Sequence, residues 1–372
     1  MADKRRRSRG AATPVAKPDE INLTRLKKEN ADLRRKLEDA KDGGRLIVEA
    51  IREAYNDPPV ITLPSRPAPD RRNGRFHDNR EIAVLHVSDV HVGKQTRSYN
   101  SDVAEERMEI LVNKTVEITN TRRHWAKIDE LHLYLGGDII EGEMIFPHQA
   151  HLIDQNLFEQ AVKRAPSILA KGIFMLAEEF SRIHICGVPG NHGRNGSRHS
   201  TASPSTNWDS VVYEVTRIMV NGTDKFPHGD LAKRITWDLP GDKGRYADWF
   251  TVDKVFDWGN MIIHGHEIRG GFAGYPWYGV GRRAAGWQDS IKTPWDYLYL
   301  GHFHTTAAAE LQHRFMLANG RFDTDDQYAL SNFGGGGCPS QRLAFYSEEH
   351  GLISDSHVFL DSRVPQALRL RA

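Results

Sequence analysis

Residues 82–91 read IAVLHVSDVH: a run of branched and apolar residues that ends abruptly in Ser88-Asp89-Val90-His91. The same syntax, apolar run then polar cluster, recurs four times. Leu131 to Leu135 leads into Gly136-Gly137-Asp138-Ile139-Ile140-Glu141, and Ile183 to Val188 into Pro189-Gly190-Asn191-His192-Gly193-Arg194. Met261 to Ile263 leads into His264-Gly265-His266, and Tyr297 to Leu300 into Gly301-His302-Phe303-His304-Thr305. Between the first runs lie stretches with apolar residues at helical spacing: Val103–Trp125, Leu157–Phe180 and Trp208–Val220. Short β-rich runs alternating with helices predict a largely parallel sheet covered by helices. After residue 230 the pattern turns to strands (Arg234–Asp238, Trp249–Val255, Met261–His264, Tyr297–Leu300 and shorter runs up to Leu360). That change predicts an α/β fold with two sheets face to face and helices outside.

In open α/β sheets, functional groups collect beyond the carboxyl ends of the strands. Each of the five clusters sits at such an end and is rich in Asp, Asn or His. Taken singly each is weak, because a lone His at a strand end is usually a hydrogen-bonded structural residue. Five together are a donor set. Carboxylate mixed with imidazole suits divalent ions such as Mn²⁺, Fe²⁺ or Zn²⁺. The neighbouring glycines let the backbone turn sharply beside the ligands.

The ordered set Asp-x-His, Gly-Asp-x-x-Glu, Gly-Asn-His, His-Gly-His and Gly-His-x-His, spread over residues 82 to about 310, closely resembles the calcineurin-like metallophosphoesterases. The resemblance implies a four-layer α/β/β/α sandwich. It implies two divalent metal ions, Mn²⁺ first and Fe²⁺ or Zn²⁺ as alternatives, one held by Asp89, His91 and His304. Asn191, His264 and His302 hold the other, and Asp138 bridges them. A hydroxide between the metals then attacks the phosphodiester, with His192 as acid or hydrogen-bond donor to the phosphate; its alternative role is to orient Asp89 or Asp138. Glu141, Arg194 and His266 are expected behind the ligands or against the phosphate. Two departures stand out. Glu141 replaces the commoner Asp, and Gly193 follows His192 where an acidic residue is usual, so the partner of His192 must come from elsewhere. His264 and His266 compete for one ligand position, and the family pattern selects His264. His148 and His151 lie in the loop after Glu141, near the site by sequence.

The rest of the chain bears on the substrate. Of 372 residues, the first 80 carry 20 Lys and Arg against 13 Asp and Glu, and the remainder 30 against 36. A basic front on a mildly acidic body predicts a polyanionic partner; the bland reading is a solvated arm. Residues 1–20, with Lys4, Arg5, Arg6, Arg7 and Arg9, read as a disordered basic arm. Residues 21–56 read as helical: Leu23, Leu26, Asn30, Leu33 and Leu37 form an a/d seam, so residues 21–41 predict a homodimeric coiled coil or a helix packed on the body. Residues 57–79, with five prolines from Pro58 to Pro69, read as an extended linker, and the catalytic domain as residues 80–365. Cys186 and Cys338 lie far apart and match no metal spacing, which predicts a reducing, cytoplasmic setting, host cytoplasm for a phage protein. No apolar run is long enough to span a bilayer. Phe272, Tyr275, Trp277, Tyr278 and Trp287, interleaved with Arg269, Arg282 and Arg283, read as a core helix and its leading loop, or else as a stacking wall for bases. Gly334 to Gly337 read as a turn-rich loop.

Within the superfamily the spacing and the Gly-Asp-Ile-Ile-Glu-Gly stretch resemble DNA exonucleases of the SbcD type and nuclease-like proteins of tailed phages. The leading expectation is a DNA nuclease. The alternatives are a small-molecule or nucleotide phosphatase and a non-catalytic nucleic-acid-binding protein.

Overall fold

The computed structural model describes residues 25–36, 38, 49, 56, 79–145, 149–195, 206–222, 233–245, 247–268, 275–311, 314–325 and 338–361. The basic arm, the proline-rich stretch 57–78, Leu23, Leu37, His148, Arg269, Phe272 and the tetraglycine lie outside them. The chain divides into two units, Met1–Arg52 and Glu53–Ala372. In the first, residues 25–36 are helical, with Arg25 paired to Glu29 and Lys36 to Asp32 along one side. Leu26, Asn30 and Leu33 of the predicted seam are exposed on this helix.

In the second unit the predicted alternation appears as β1 (Glu81–Val87), α1 (Ser101–Arg122), β2 (Glu130–Leu135), α2 (Ala165–Glu179), β3 (Arg182–Gly187), α3 (Trp208–Asn221) and β4 (Ile235–Asp238). The strand-rich part follows as β5 (Phe250–Val255), β6 (Trp258–Ile263), α4 (Trp277–Ser290), β7 (Tyr297–Leu300), β8 (Ala307–Leu311), β9 (Arg314–Ala318), β10 (Ser340–Ser347) and β11 (Gly351–Phe359). One sheet has the order β11-β10-β1-β2-β3-β4 and the other β5-β6-β7-β9-β8. Strands β1 to β4 run parallel, as do β6, β7 and β9. Strand β10 returns from the second half of the chain to pair antiparallel with β1.

Every residue of β1 is buried, because a central parallel strand is covered on both faces. Alternate positions on β1 point to opposite layers. Ile82 and Val84 join Tyr134, Cys186, Ile262, Tyr299 and Leu317 in the core between the sheets. The opposite faces pack on helices: α1 to α3 cover the first sheet, and α4 lays Val280 and Ala284 on Met261, Leu298 and Met316 of the second. The result is the expected α/β/β/α sandwich. Among the described residues of the aromatic-rich segment, Tyr275, Trp277 and Trp287 are half-buried against this outer cluster, in line with the packing reading, while Tyr278 is strongly exposed.

Local chemistry sets the boundaries. Asn100 caps α1 by accepting from Val103 N–H at 3.0 Å, and Asn207 caps α3 by accepting from Asp209 N–H at 2.8 Å. The helix expected from Leu157 instead begins with a π-helical turn, Glu159–Arg164. That turn presents Gln160 to the loop after β2, where its side chain accepts from Gly142 N–H at 2.9 Å. Such turns cost regularity and often serve a neighbouring site.

Candidate metal centre

The carboxyl ends of β1, β2 and β3 in one sheet and of β6 and β7 in the other open onto the same place. Asp89 is fully buried there; its carboxylate accepts from Ser88 Oγ at 2.5 Å and from His302 N–H at 3.0 Å, and lies 3.3 Å from His304 Nε2. His91 turns Nδ1 to Glu141 Oε2 at 2.9 Å and Nε2 to His304 Nε2 at 3.1 Å. Asp138 accepts from His192 N–H at 2.7 Å through Oδ1 and sets Oδ2 3.0 Å from His264 Nε2. Asn191 Oδ1 lies 3.2 Å from the same His264 nitrogen. Three sets of donor atoms each fall within 4.8 Å of one another: Asp89, His91 and His304; His91, Asp138 and His192; Asp138, His264 and His302. All seven sequence-derived ligands therefore converge.

The backbone bears this out. Non-glycine residues with φ near +60° are uncommon, since Cβ crowds the carbonyl, and each costs on the order of 1 kcal/mol or more. Among the described residues, seven other than glycine have positive φ, and five of them are Asp89, His91, Asp138, His302 and His304, at +51° to +68°. The strain falls on the candidate ligands. Glycine makes room for it: a Cβ on Gly190 would stand 2.1 Å from Asp138 Oδ1, and one on Gly301 2.6 Å from Asp89 Oδ2.

The donor set fits cations. His264 Nδ1 lies 2.8 Å from the Gly136 carbonyl, which can only accept, so Nδ1 carries the hydrogen. Its Nε2 then faces two further oxygens, Asp138 Oδ2 and Asn191 Oδ1, and something positive must lie between them. Without a metal that charge is a proton: burial opposes it, but the Asp138 and Asp89 carboxylates and the Gly136 carbonyl raise the His264 pKa to about 10. Burial likewise opposes charge on His192, and Glu141 and Asp138 raise it to about 9. The His91 and His304 Nε2 atoms also face each other, 3.1 Å apart.

The supporting residues sort as follows. Glu141 holds both His91 and His192: His192 Nδ1 is 2.8 Å from its carbonyl oxygen and 3.3 Å from its carboxylate. The partner that Gly193 cannot provide thus comes from Glu141. Gly193 itself is dictated by Asn207, whose Oδ1 would lie 2.1 Å from a Cβ there. His266 lies beside His264, ring centres 5.4 Å apart, but joins none of the donor sets, in keeping with the choice of His264. Arg194 is half-buried and near enough for its charge to help depress His266, behind burial and the His264 charge. His151 is exposed; its neighbour Gln149 turns inward and donates to the Glu141 carbonyl at 2.7 Å.

Two carboxylates escaped the sequence reading. Asp209, buried at the start of α3, accepts from the N–H groups of Asp138 (2.9 Å), Ile139 (3.1 Å) and Gly190 (2.8 Å), pinning the second and third clusters together. Its signal, an Asn-x-Asp helix start, is too common to single out. Asp323 is fully buried, bonds Lys94 Nζ at 2.7 Å and sets Oδ1 4.0 Å from His304 Nδ1. It follows β9 in Asn319-Gly320-Arg321-Phe322-Asp323, a sixth apolar run ending in polar residues.

No family model matches the chain. Among curated proteins it is similar to the SPbeta prophage-derived uncharacterized protein YonJ of Bacillus subtilis (strain 168), 24% identical over 264 residues that make up 70% of this chain. The chain spans 57% of the length of that relative. Among solved structures it is similar to Vps29 of Entamoeba histolytica complexed with zinc, at 11% identity over 75% of this chain and 99% of that one, TM-score 0.31. It is also similar to YfcE, a phosphoesterase from E. coli, at 10% identity over 74% and 99%, TM-score 0.31. Likeness at this depth carries no activity across. In its five ordered motifs and its two-sheet sandwich, the chain resembles the calcineurin-like metallophosphoesterases.

Proposed function

We propose that the protein is a two-metal phosphodiesterase that cleaves nucleic acid, with DNA as the substrate. The observation that carries this reading is the convergence of seven donor side chains from two sheets, five of them on left-handed backbone. Asp89, His91 and His304 hold one divalent cation, Asn191, His264 and His302 the other, and Asp138 both. Bound there, the pair supplies Lewis acidity, which activates water near neutral pH and neutralises charge on the phosphoryl group; Mn²⁺ is the first choice.

The protein's own groups do the rest. Only Asp89 and Asp138 among the seven ligands are anionic, so a centre holding two dications keeps a positive surplus for a phosphodiester. The imidazole of His192, set by Glu141 beside Asp138, protonates the leaving oxygen. Asp209 holds the Asp138 and Gly190 turns in register, and Asp323 with Lys94 stiffens the approach to His304. The surplus of seven basic groups in the first 80 residues supports a polyanionic substrate, and a dimer through residues 21–41 would double that arm.

The test is a panel with added Mn²⁺: single- and double-stranded DNA, RNA, a p-nitrophenyl diester and a monoester. DNA and the diester are expected to be cleaved and the monoester spared, with Asp138→Asn slowed on the order of 10³-fold. Preference for the monoester, or activity unchanged by Asp138→Asn, overturns the reading. Deleting residues 1–45 is expected to weaken DNA cleavage and flatten its salt dependence while sparing the small diester.

A further inference from the structure

A second group of donors lies away from the strand-end centre, at the open edge of the sandwich. His184 and Cys186 are two apart on β3, so they share a face. Their parallel partners on β2 are His132 and Tyr134. Across the gap, β5 contributes Asp253. His184, Cys186 and Asp253 each offer a donor atom within 4.8 Å of the others, and His184 Nε2 is 3.5 Å from Asp253 Oδ1.

We propose that His184 Nε2, Cys186 Sγ and Asp253 Oδ1 form a third, Zn²⁺-type metal site, separate from the strand-end centre. Three protein ligands, two from β3 and one from the facing β5, leave a fourth, tetrahedral position for water. A separation of 3.5 Å between nitrogen and oxygen is what two ligands at about 2.0–2.2 Å from one zinc ion give. The ligands are already steered. His184 Nδ1 meets Thr236 Oγ1 at 2.8 Å, and when that nitrogen carries the hydrogen, the Nε2 lone pair faces Asp253 Oδ1. The other carboxylate oxygen, Oδ2, is held by His132 Nδ1 at 2.5 Å and Tyr134 OH at 2.7 Å, which leaves Oδ1 turned to His184. Outer partners of this kind fix ligand orientation in protein metal sites. The His184 side chain keeps 27% of its surface exposed, which gives an ion a way in.

Charge balance at the site is met by proton release. Binding deprotonates Cys186 and, because Asp253 already balances the His132 imidazolium, also displaces the His132 proton; with both protons released to solvent, thiolate and carboxylate balance the dication. Burial now holds the Cys186 thiol protonated, its pKa raised well above the usual range. A thiolate makes the site softer than the all-nitrogen-and-oxygen centre at the strand ends, so the two sites differ in metal preference.

That difference supplies the test. The strand-end ligands include no sulfur, so a Co²⁺–thiolate charge-transfer band in the near ultraviolet reports only on a cysteine. Metal-free full-length protein titrated with excess Co²⁺ is expected to develop this band to the amplitude of one thiolate-bound ion per chain, with the same final amplitude in Asp138→Asn and in Cys338→Ser and no band in Cys186→Ser. Asp253→Asn and His184→Gln are expected to keep the band but weaken Co²⁺ affinity by about tenfold or more, which covers the case of a Cys186→Ser chain that does not fold. No band in the wild type, a band lost in Cys338→Ser instead, or wild-type affinity in both ligand variants overturns the site and leaves a buried ion pair.

Discussion

The strand-end centre and the sandwich-edge cluster use the same chemistry, imidazole beside carboxylate, on opposite kinds of backbone. Asp89, His91, Asp138, His302 and His304 stand just past their strands in left-handed turns, with Gly137, Gly190 and Gly301 clearing the space. His132, His184, Cys186 and Asp253 stand inside regular strands, and none has a positive φ. Loops can aim several donors from one short peptide at one point, at a cost in strain. Strands offer only every second residue, so a site on them must recruit partners from the next strand or the facing sheet. The first arrangement suits paired ions with open positions for substrate, and the second a single, closely held ion or an ion pair.

The comparison breaks most sharply at Asp138. Asp138→Asn is expected to lower turnover of a p-nitrophenyl diester on the order of 10³-fold, with the circular dichroism spectrum unchanged; an equal loss in Asp253→Asn would show that the two clusters act as one. Strain is tested next, at Gly190. A methyl there would meet Asp138 Oδ1 at 2.1 Å and Asp138 N at 2.2 Å, so Gly190→Ala must displace a ligand turn. We expect turnover to drop about 10²-fold, as displacement by about 1 Å does, together with weaker Mn²⁺ binding in a titration.

The edge cluster is expected to answer in stability instead. Against desolvation, hydrogen bonds and charge from Asp253 and Glu130 hold the His132 pKa up at about 9. In metal-free protein, Asp253→Asn strips this buried imidazolium of its nearer carboxylate and should cost about 3 kcal/mol in urea unfolding, with diester turnover of the metal-loaded enzyme kept within about twofold. For wild type, stability from the raised His132 is present below about pH 6.5 and lost as pH climbs through about 9.

The smallest effect concerns His86, buried between the sheets with neither ring nitrogen hydrogen-bonded. Burial and then the Arg342 guanidinium push its pKa down to about 3 from 6.5. Unfolded chains bind that proton and folded ones do not, so stability present above pH 6.5 is lost as pH falls towards 3. His86→Leu should therefore flatten the acid limb, a gain of about 2 kcal/mol relative to wild type at pH 5; an unchanged limb in urea melts at pH 5 and 7 would assign it to other groups.

Much of the centre was legible because its ligands are contiguous with the strands that carry them. Asp89 and His91, or His302 and His304, are two residues apart after an apolar run, and such local syntax survives without coordinates. The β1 to β4 order was legible for the same reason, as parallel strands buried on both faces must be apolar throughout. Asp209 was not legible. It touches Asp138 and Gly190 from a helix start about 20 or more residues further along the chain, and nothing in Asn-Trp-Asp distinguishes a turn-binding carboxylate from an ordinary cap. Asp323 was half legible, for it repeats the strand-end pattern with a weaker strand.

Cys186 shows the boundary best. By spacing, two cysteines 152 positions apart match no metal motif, and that remains true. What gives Cys186 partners is the pairing of β2 with β3 and the packing of β5 across them, which brings Asp253 to its side. From the sequence alone came the sandwich, the five strand ends and six of the candidate ligands, since these rest on neighbours along the chain; the choice of His264 over His266 came from the family pattern. The strained turns, the carboxylates behind the ligands and the edge cluster were settled only by tertiary structure, because each depends on which strand faces which.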